Sequence, residues 1–127
     1  MTESSGDALA FDQHLDATTT PAVADIAWAL RLTVLEVYPS AVEWFDPGNG
    51  LLAVGSQRAM RDLLFAIIPH KSHVNLQLAD GADLANPDGR IEGSGKRIRH
   101  VKIRSVEDAG APWLRAVIAL QIAHRAG

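Results

Sequence analysis

The sequence predicts an α+β two-layer sandwich, an antiparallel sheet of about five strands packed against an N-terminal and a C-terminal helix. Three observations lead there. A long apolar helical pattern opens the patterned part of the chain, a second closes it, and the short apolar runs between them are separated by turn formers. No βαβ units alternate along the chain, which argues against a parallel doubly wound sheet.

Residues 1–19 are rich in Ser, Thr, Asp and Ala and read as an acidic tail, in which Ala8, Phe11 and Leu15 offer a short docking turn. Residues 20–127 read as the domain proper. Thr20-Pro21 opens the first helix, as an N-cap followed by proline where its missing N–H is harmless. Val23, Ile26, Ala27, Leu30, Val34 and Val37 recur at helical spacing, and Tyr38-Pro39 ends the run because the residue before proline is pushed out of helical geometry.

Two strands are expected around Asp46-Pro-Gly-Asn-Gly50, a loop made wholly of turn formers: Ala41-Val-Glu-Trp-Phe45 before it and Leu51-Leu-Ala-Val54 after it. Residues 63–68 form a brief apolar run bounded by Pro69. His73-Val-Asn-Leu-Gln-Leu78 alternates strictly, so Val74, Leu76 and Leu78 share the core face while His73, Asn75 and Gln77 point away. Residues 80–95 read as loop. Residues 97–104 read as a last strand with a bulge, because Ile98 and the Val101/Ile103 pair have opposite parity. Ser105-Val-Glu-Asp108 resembles a capping box, and Pro112 opens a final helix whose stripe is Trp113, Leu114, Val117, Ile118 and Ile122.

Composition narrows the function. With 127 residues, 47% apolar and 21% charged, the chain suits one globular domain and argues against disorder. It has no cysteine, so disulfides, thiolate metal sites and Cys nucleophiles are excluded together. Residues 1–16 carry four acids and no Lys or Arg, unlike a secretion signal, and no apolar run approaches the ~20 residues that span a bilayer. A cytoplasmic protein is expected, and its net charge of −3 makes a poor general nucleic-acid binder.

The charge is uneven. Residues 1–50 balance to −7 and residues 51–127 to +4. Six cations (Arg90, Lys96, Arg97, Arg99, Lys102 and Arg104) fall within fifteen residues where Glu92 is the only acid. Pairing of this block with the acidic front half is the expected arrangement, and anion binding is the functional alternative. Gly93-Ser-Gly-Lys96 fails as a nucleotide phosphate loop: Arg90 stands where a glycine is required, and Arg97 where Ser or Thr must follow the lysine. Glycine-freed amides beside Lys96, Arg97 and Arg99 still suit a carboxylate or phosphate.

Other chemistries lack support. His70 and His73 lie three apart across a proline turn, too few ligands for a metal centre and with no requirement to share a face. There is no Gly-x-Ser-x-Gly elbow, and pairs such as Asp80/Asp83 and Glu107/Asp108 sit in turns and at a helix start, where acids act as caps. No catalytic residue is assigned. Trp28 and Trp113 read as core, and Trp44 stays open.

The stretch from Gly81 to Lys102, with its core at Gly93, Gly95, Lys96, Arg99 and His100, resembles the signature of the YdhG-like bacterial family of unknown function. Pro69-His-Lys-Ser-His-Val-Asn-Leu76 resembles that family's preceding strand, and the likeness covers about residues 20–124. It implies a frataxin-like sandwich and, in one branch, iron binding. Frataxins hold iron on a carboxylate-rich first helix, whereas the helix here offers only Asp25 and Glu36.

The leading expectation is therefore a non-enzymatic domain, with no cofactor, that takes a small anion or an acidic protein segment on His73, Asn75, Gln77, Lys96, Arg97, Arg99 and His100. Frataxin-like iron binding is the alternative that the resemblance implies.

Overall fold

A computed structural model describes residues 5–126 and has the expected α+β architecture. The order is α1 (Ser5–Thr18), α2 (Pro21–Val37), β1 (Val42–Asp46), β2 (Leu51–Gly55), β3 (Leu63–Pro69), β4 (Val74–Leu78), β5 (Ile91–Glu92), β6 (Arg99–Ile103), the one-turn α3 (Val106–Ala109) and α4 (Pro112–Ala126). The six strands lie in the order β1-β2-β3-β4-β6-β5, and every pairing is antiparallel. The sixth strand is β5, two residues inside the segment read as loop. Ile91 pairs with Val101 and is buried, which secures that segment to the sheet edge.

The largest departure is at the N-terminus. Of the segment read as a tail, residues 1–4 lie outside the described residues, and Ser5–Thr18 form helix α1. Ala8, Phe11 and Leu15 recur at three- and four-residue spacing, and Phe11 and Leu15 are fully buried in the core. Burial of two such side chains contributes roughly 2 kcal/mol each. α1 ends where Thr18 and Thr19 turn their hydroxyls back to donate to the carbonyls of His14 and Leu15, both at 2.7 Å. Thr20 then caps α2 by accepting from the Val23 N–H at 3.2 Å, with Pro21 in the first turn.

One face of the sheet carries the core. Leu52, Val54, Phe65, Ile67, Val74, Leu76, Leu78, Val101 and Ile103 pack with Phe11, Leu15, Val23, Ile26, Leu30, Val34, Leu114 and Ile118 from the helices. Strict alternation in β4 places Val74, Leu76 and Leu78 in this layer, as the sequence predicts. Ile98 corrects the reading of the last strand. It lies before β6 and is exposed, and β4 pairs with β6 in continuous register, so its odd parity calls for no bulge. The observed irregularity is between Val54 and Gly55, where β2 meets β3.

Two buried acids tie the layers together. Glu43 of β1 receives Arg31 of α2 in a forked pair at 2.6 and 2.8 Å, and the guanidinium also lies over the Trp28 ring. Asp80, just after β4, accepts from Arg97, Gln121 and Arg125 at 2.7–3.1 Å. At the opposite edge Asp7 of α1 accepts from the Phe45 N–H of β1 at 2.9 Å and pairs with Arg58. No helix among the described residues is long and apolar enough to cross a membrane.

Candidate functional site

The seven residues expected to form a site divide into two groups. His73, Asn75, Gln77 and His100 come together on the outer face of β4 and β6, the face turned away from the core. The register brings Gln77 opposite His100 and Asn75 opposite Lys102. Trp44, Ala53 and Ala66 continue the Gln77–His100 row toward β1, so half-buried Trp44 belongs to this face and not to the core.

Lys96, Arg97 and Arg99 leave that face. Arg97 turns to the buried Asp80 at 2.8 Å. Arg99 aligns with Leu78 on the core side, and its Nε donates to the Gly95 carbonyl at 2.7 Å. Lys96 stays in the exposed glycine turn. The turn has the predicted glycine requirement: Gly93 has φ 117°, and a Cβ on Gly95 would stand 2.6 Å from the Ile98 carbonyl oxygen. It shapes the backbone but does not gather its cations.

Nor, among the described residues, does the basic block pair with the acidic front half. Arg97 meets Asp80, while His100 and Lys102 approach Glu92 at 4.0 and 3.9 Å, all acids of the back half. Among the described residues the ion pairs between the halves are Asp7–Arg58 and Glu36–Arg115, whose cations lie outside the block.

Three groups not included in the expected site complete the outer-face cluster: His70, Lys102 and Arg104. The β3–β4 turn stacks the His70 and His73 rings with centroids 4.8 Å apart and planes 16° from parallel, so the two histidines do share one side of the hairpin. Burial, followed by the positive charges of His70, Lys102 and Arg104, pushes the His73 imidazole below its ordinary pKa, and Asn75 acts in the other direction. The Asn75 Oδ1 is buried and has no hydrogen-bond partner among the described residues. A protonated His73 is a suitable donor for it. One signal was available in the sequence: Lys102 and Arg104 share the parity of His100 and so the outer face.

Beside the cluster, a recess of about 200 Å³ is lined by Arg90, Glu92, Lys102, Arg104, Asp108 and Trp113. Arg90 lies over the Trp113 ring at 4.2 Å. Among the described residues no three His, Asp or Glu side chains gather in a geometry that holds a metal ion. Comparison with the profiles of known families, with curated proteins and with solved structures gave no match.

Proposed function

We propose that the chain is a non-enzymatic binding domain that takes an anionic group on the outer face of β4 and β6, beside His73, His100, Lys102 and Arg104. The observation that carries this reading is the electrostatic setting of His73. Beyond burial, its proton is opposed by His70, Lys102 and Arg104, and Glu92 approaches Lys102 and His100 only at the limit of ion-pair range. A phosphate or carboxylate would relieve that repulsion, and His73 could then carry its proton and donate it toward Asn75.

Binding is therefore coupled to proton uptake. Side-chain NMR of the histidines during titration with inorganic phosphate and with citrate tests the reading. Saturating anion should raise the His73 pKa and the melting temperature, by the usual linkage, and its binding should tighten as pH falls. Lys102→Ala with Arg104→Ala should remove the response. An imidazole whose titration is unchanged by either anion sinks this function.

A further inference from the structure

At the end of the molecule where the α1–α2 junction meets the β1–β2 and β3–β4 turns there is an open cleft of about 670 Å³. It has the volume of a small-metabolite site. Its lining contains the imidazoles of His14 and His70, the Lys71 ammonium and the hydroxyls of Thr18, Thr19 and Thr20, and no carboxylate. The nearby Asp46 is turned into its own loop, where it accepts from the backbone and side chain of Asn49 at 3.2 and 2.9 Å.

The three hydroxyls are not equivalent. Thr18 and Thr19 give their hydrogens to the α1 carbonyls of His14 and Leu15, so they present only lone pairs to the cleft. Thr20 accepts the Val23 N–H, which leaves its own hydrogen to donate. The lining thus carries donors on Lys71, His14, His70 and Thr20, and acceptors on Thr18 and Thr19. His14 is held in place by the Phe45 ring at 5.4 Å and by Gly50, where a Cβ would come within 2.8 Å of its Nε2.

We propose that this cleft binds a small sugar phosphate, with the phosphate at Lys71, His70, His14 and Thr20 and the sugar hydroxyls donating to Thr18 and Thr19. Charge selects the phosphate, because an anion meets the Lys71 ammonium, with imidazole and hydroxyl donors beside it, and no carboxylate in the lining. The orientation of the threonine hydroxyls selects the sugar, because groups that can only accept favour a ligand that brings its own O–H donors. The α2 N-terminus at Thr20 adds its dipole to the same end. This inference uses a different set of residues from the outer-face site, with His70 alone near both.

The experiment is calorimetric titration of the full chain at pH 7 with ribose 5-phosphate, inorganic phosphate and ribose. Ribose 5-phosphate should bind at least about tenfold more tightly than inorganic phosphate, and ribose should bind weakest. Lys71→Ala, an exposed turn position, and His14→Gln should each weaken the cleft's affinity for ribose 5-phosphate by about tenfold or more, while Lys102→Ala, which removes only the outer-face component, leaves the cleft component in place. Equal affinity for inorganic phosphate and ribose 5-phosphate overturns the sugar assignment, and an unchanged affinity in Lys71→Ala overturns the cleft. Loss of binding in Lys102→Ala but not in His14→Gln assigns the ligand to the outer face and also overturns the inference. Failure of the outer-face reading, seen at His73, leaves all these readouts intact.

Discussion

Asp80 and Gln121 hold each other by two hydrogen bonds in opposite directions: the Asp80 N–H donates to Oε1 of Gln121 at 2.8 Å, and Nε2 of Gln121 donates to Oδ2 of Asp80 at 2.7 Å. Both residues are buried, and Arg97 and Arg125 close the remaining sides of the carboxylate. One acid after β4 thereby secures both the glycine turn and the C-terminal helix.

That acid should set the stability of the protein in the acid range. Burial opposes its charge, but hydrogen bonds from Arg97, Gln121 and Arg125 outweigh it and hold the carboxyl down at about 2, against 3.8 for a free aspartate. A depressed acid stabilises the fold above its unfolded pKa, and the contribution is lost as pH falls from 3.8 toward 2. The expected size is about 2 kcal/mol. Urea midpoints between pH 2 and 6 should show that slope in the native protein, and Asp80→Asn should flatten it. Gln121→Ala at pH 7 should lose about 2–4 kcal/mol, because it opens a cavity and strands the Asp80 N–H.

The Arg31–Glu43 pair gives a second test. Either Arg31→Met or Glu43→Leu alone leaves one charge in a largely dry site and should destabilise by about 3–5 kcal/mol. The double variant should recover most of the loss, since an apolar pair of similar volume fills the space without a desolvation penalty. Additive losses in denaturant melts would contradict this picture of the pair.

For His73 the sign is the same as for Asp80, although the charge is opposite. Its folded pKa lies below the unfolded 6.5, so the unfolded chain takes up the proton first as pH falls. Its contribution is complete above 6.5 and is lost below. Melting temperatures from pH 7.5 to 5 in a buffer without multivalent anions should decline, and His73→Asn should reduce the decline. Saturating phosphate should reduce it as well.

Gly50 should resist substitution for two separable reasons. Its φ of 65° is strained for any residue with a side chain, and the added carbon meets the His14 ring. Gly50→Ala should destabilise by more than about 1 kcal/mol. Introducing His14→Ala into that variant should return only the steric part, as a double-mutant cycle in urea would show.

The fold was legible wherever local pattern and tertiary role coincide. Thr20-Pro21, the alternation from Val74 to Leu78 and the turn at Asp46-Pro-Gly-Asn-Gly50 each name their own structure. α1 was obscured because its polar composition outweighs three apolar residues at helical spacing. β5 is too short to show a period. Part of the site was legible by the same rule: strand parity placed His73, Asn75 and Gln77 on one face, and could have added Lys102 and Arg104. The departure of Arg97 was not legible, because the Asp80 cluster joins positions 17 to 45 residues apart and leaves no local trace. Arg97 and Arg99 stand two residues apart, yet one turns to the Asp80 carboxylate and the other to the Gly95 carbonyl.

The hydrogen bond from Phe45 to Asp7 has a consequence for the first strand. β1 is an outermost strand, and Asp7 occupies a donor that would otherwise be free to recruit another chain. A protein shortened to begin at Thr20 would keep all six strands yet present that margin bare, next to the hollow left by Phe11 and Leu15. It should assemble strand to strand into oligomers in proportion to its concentration, whereas the full chain, shielded by its first helix, should not.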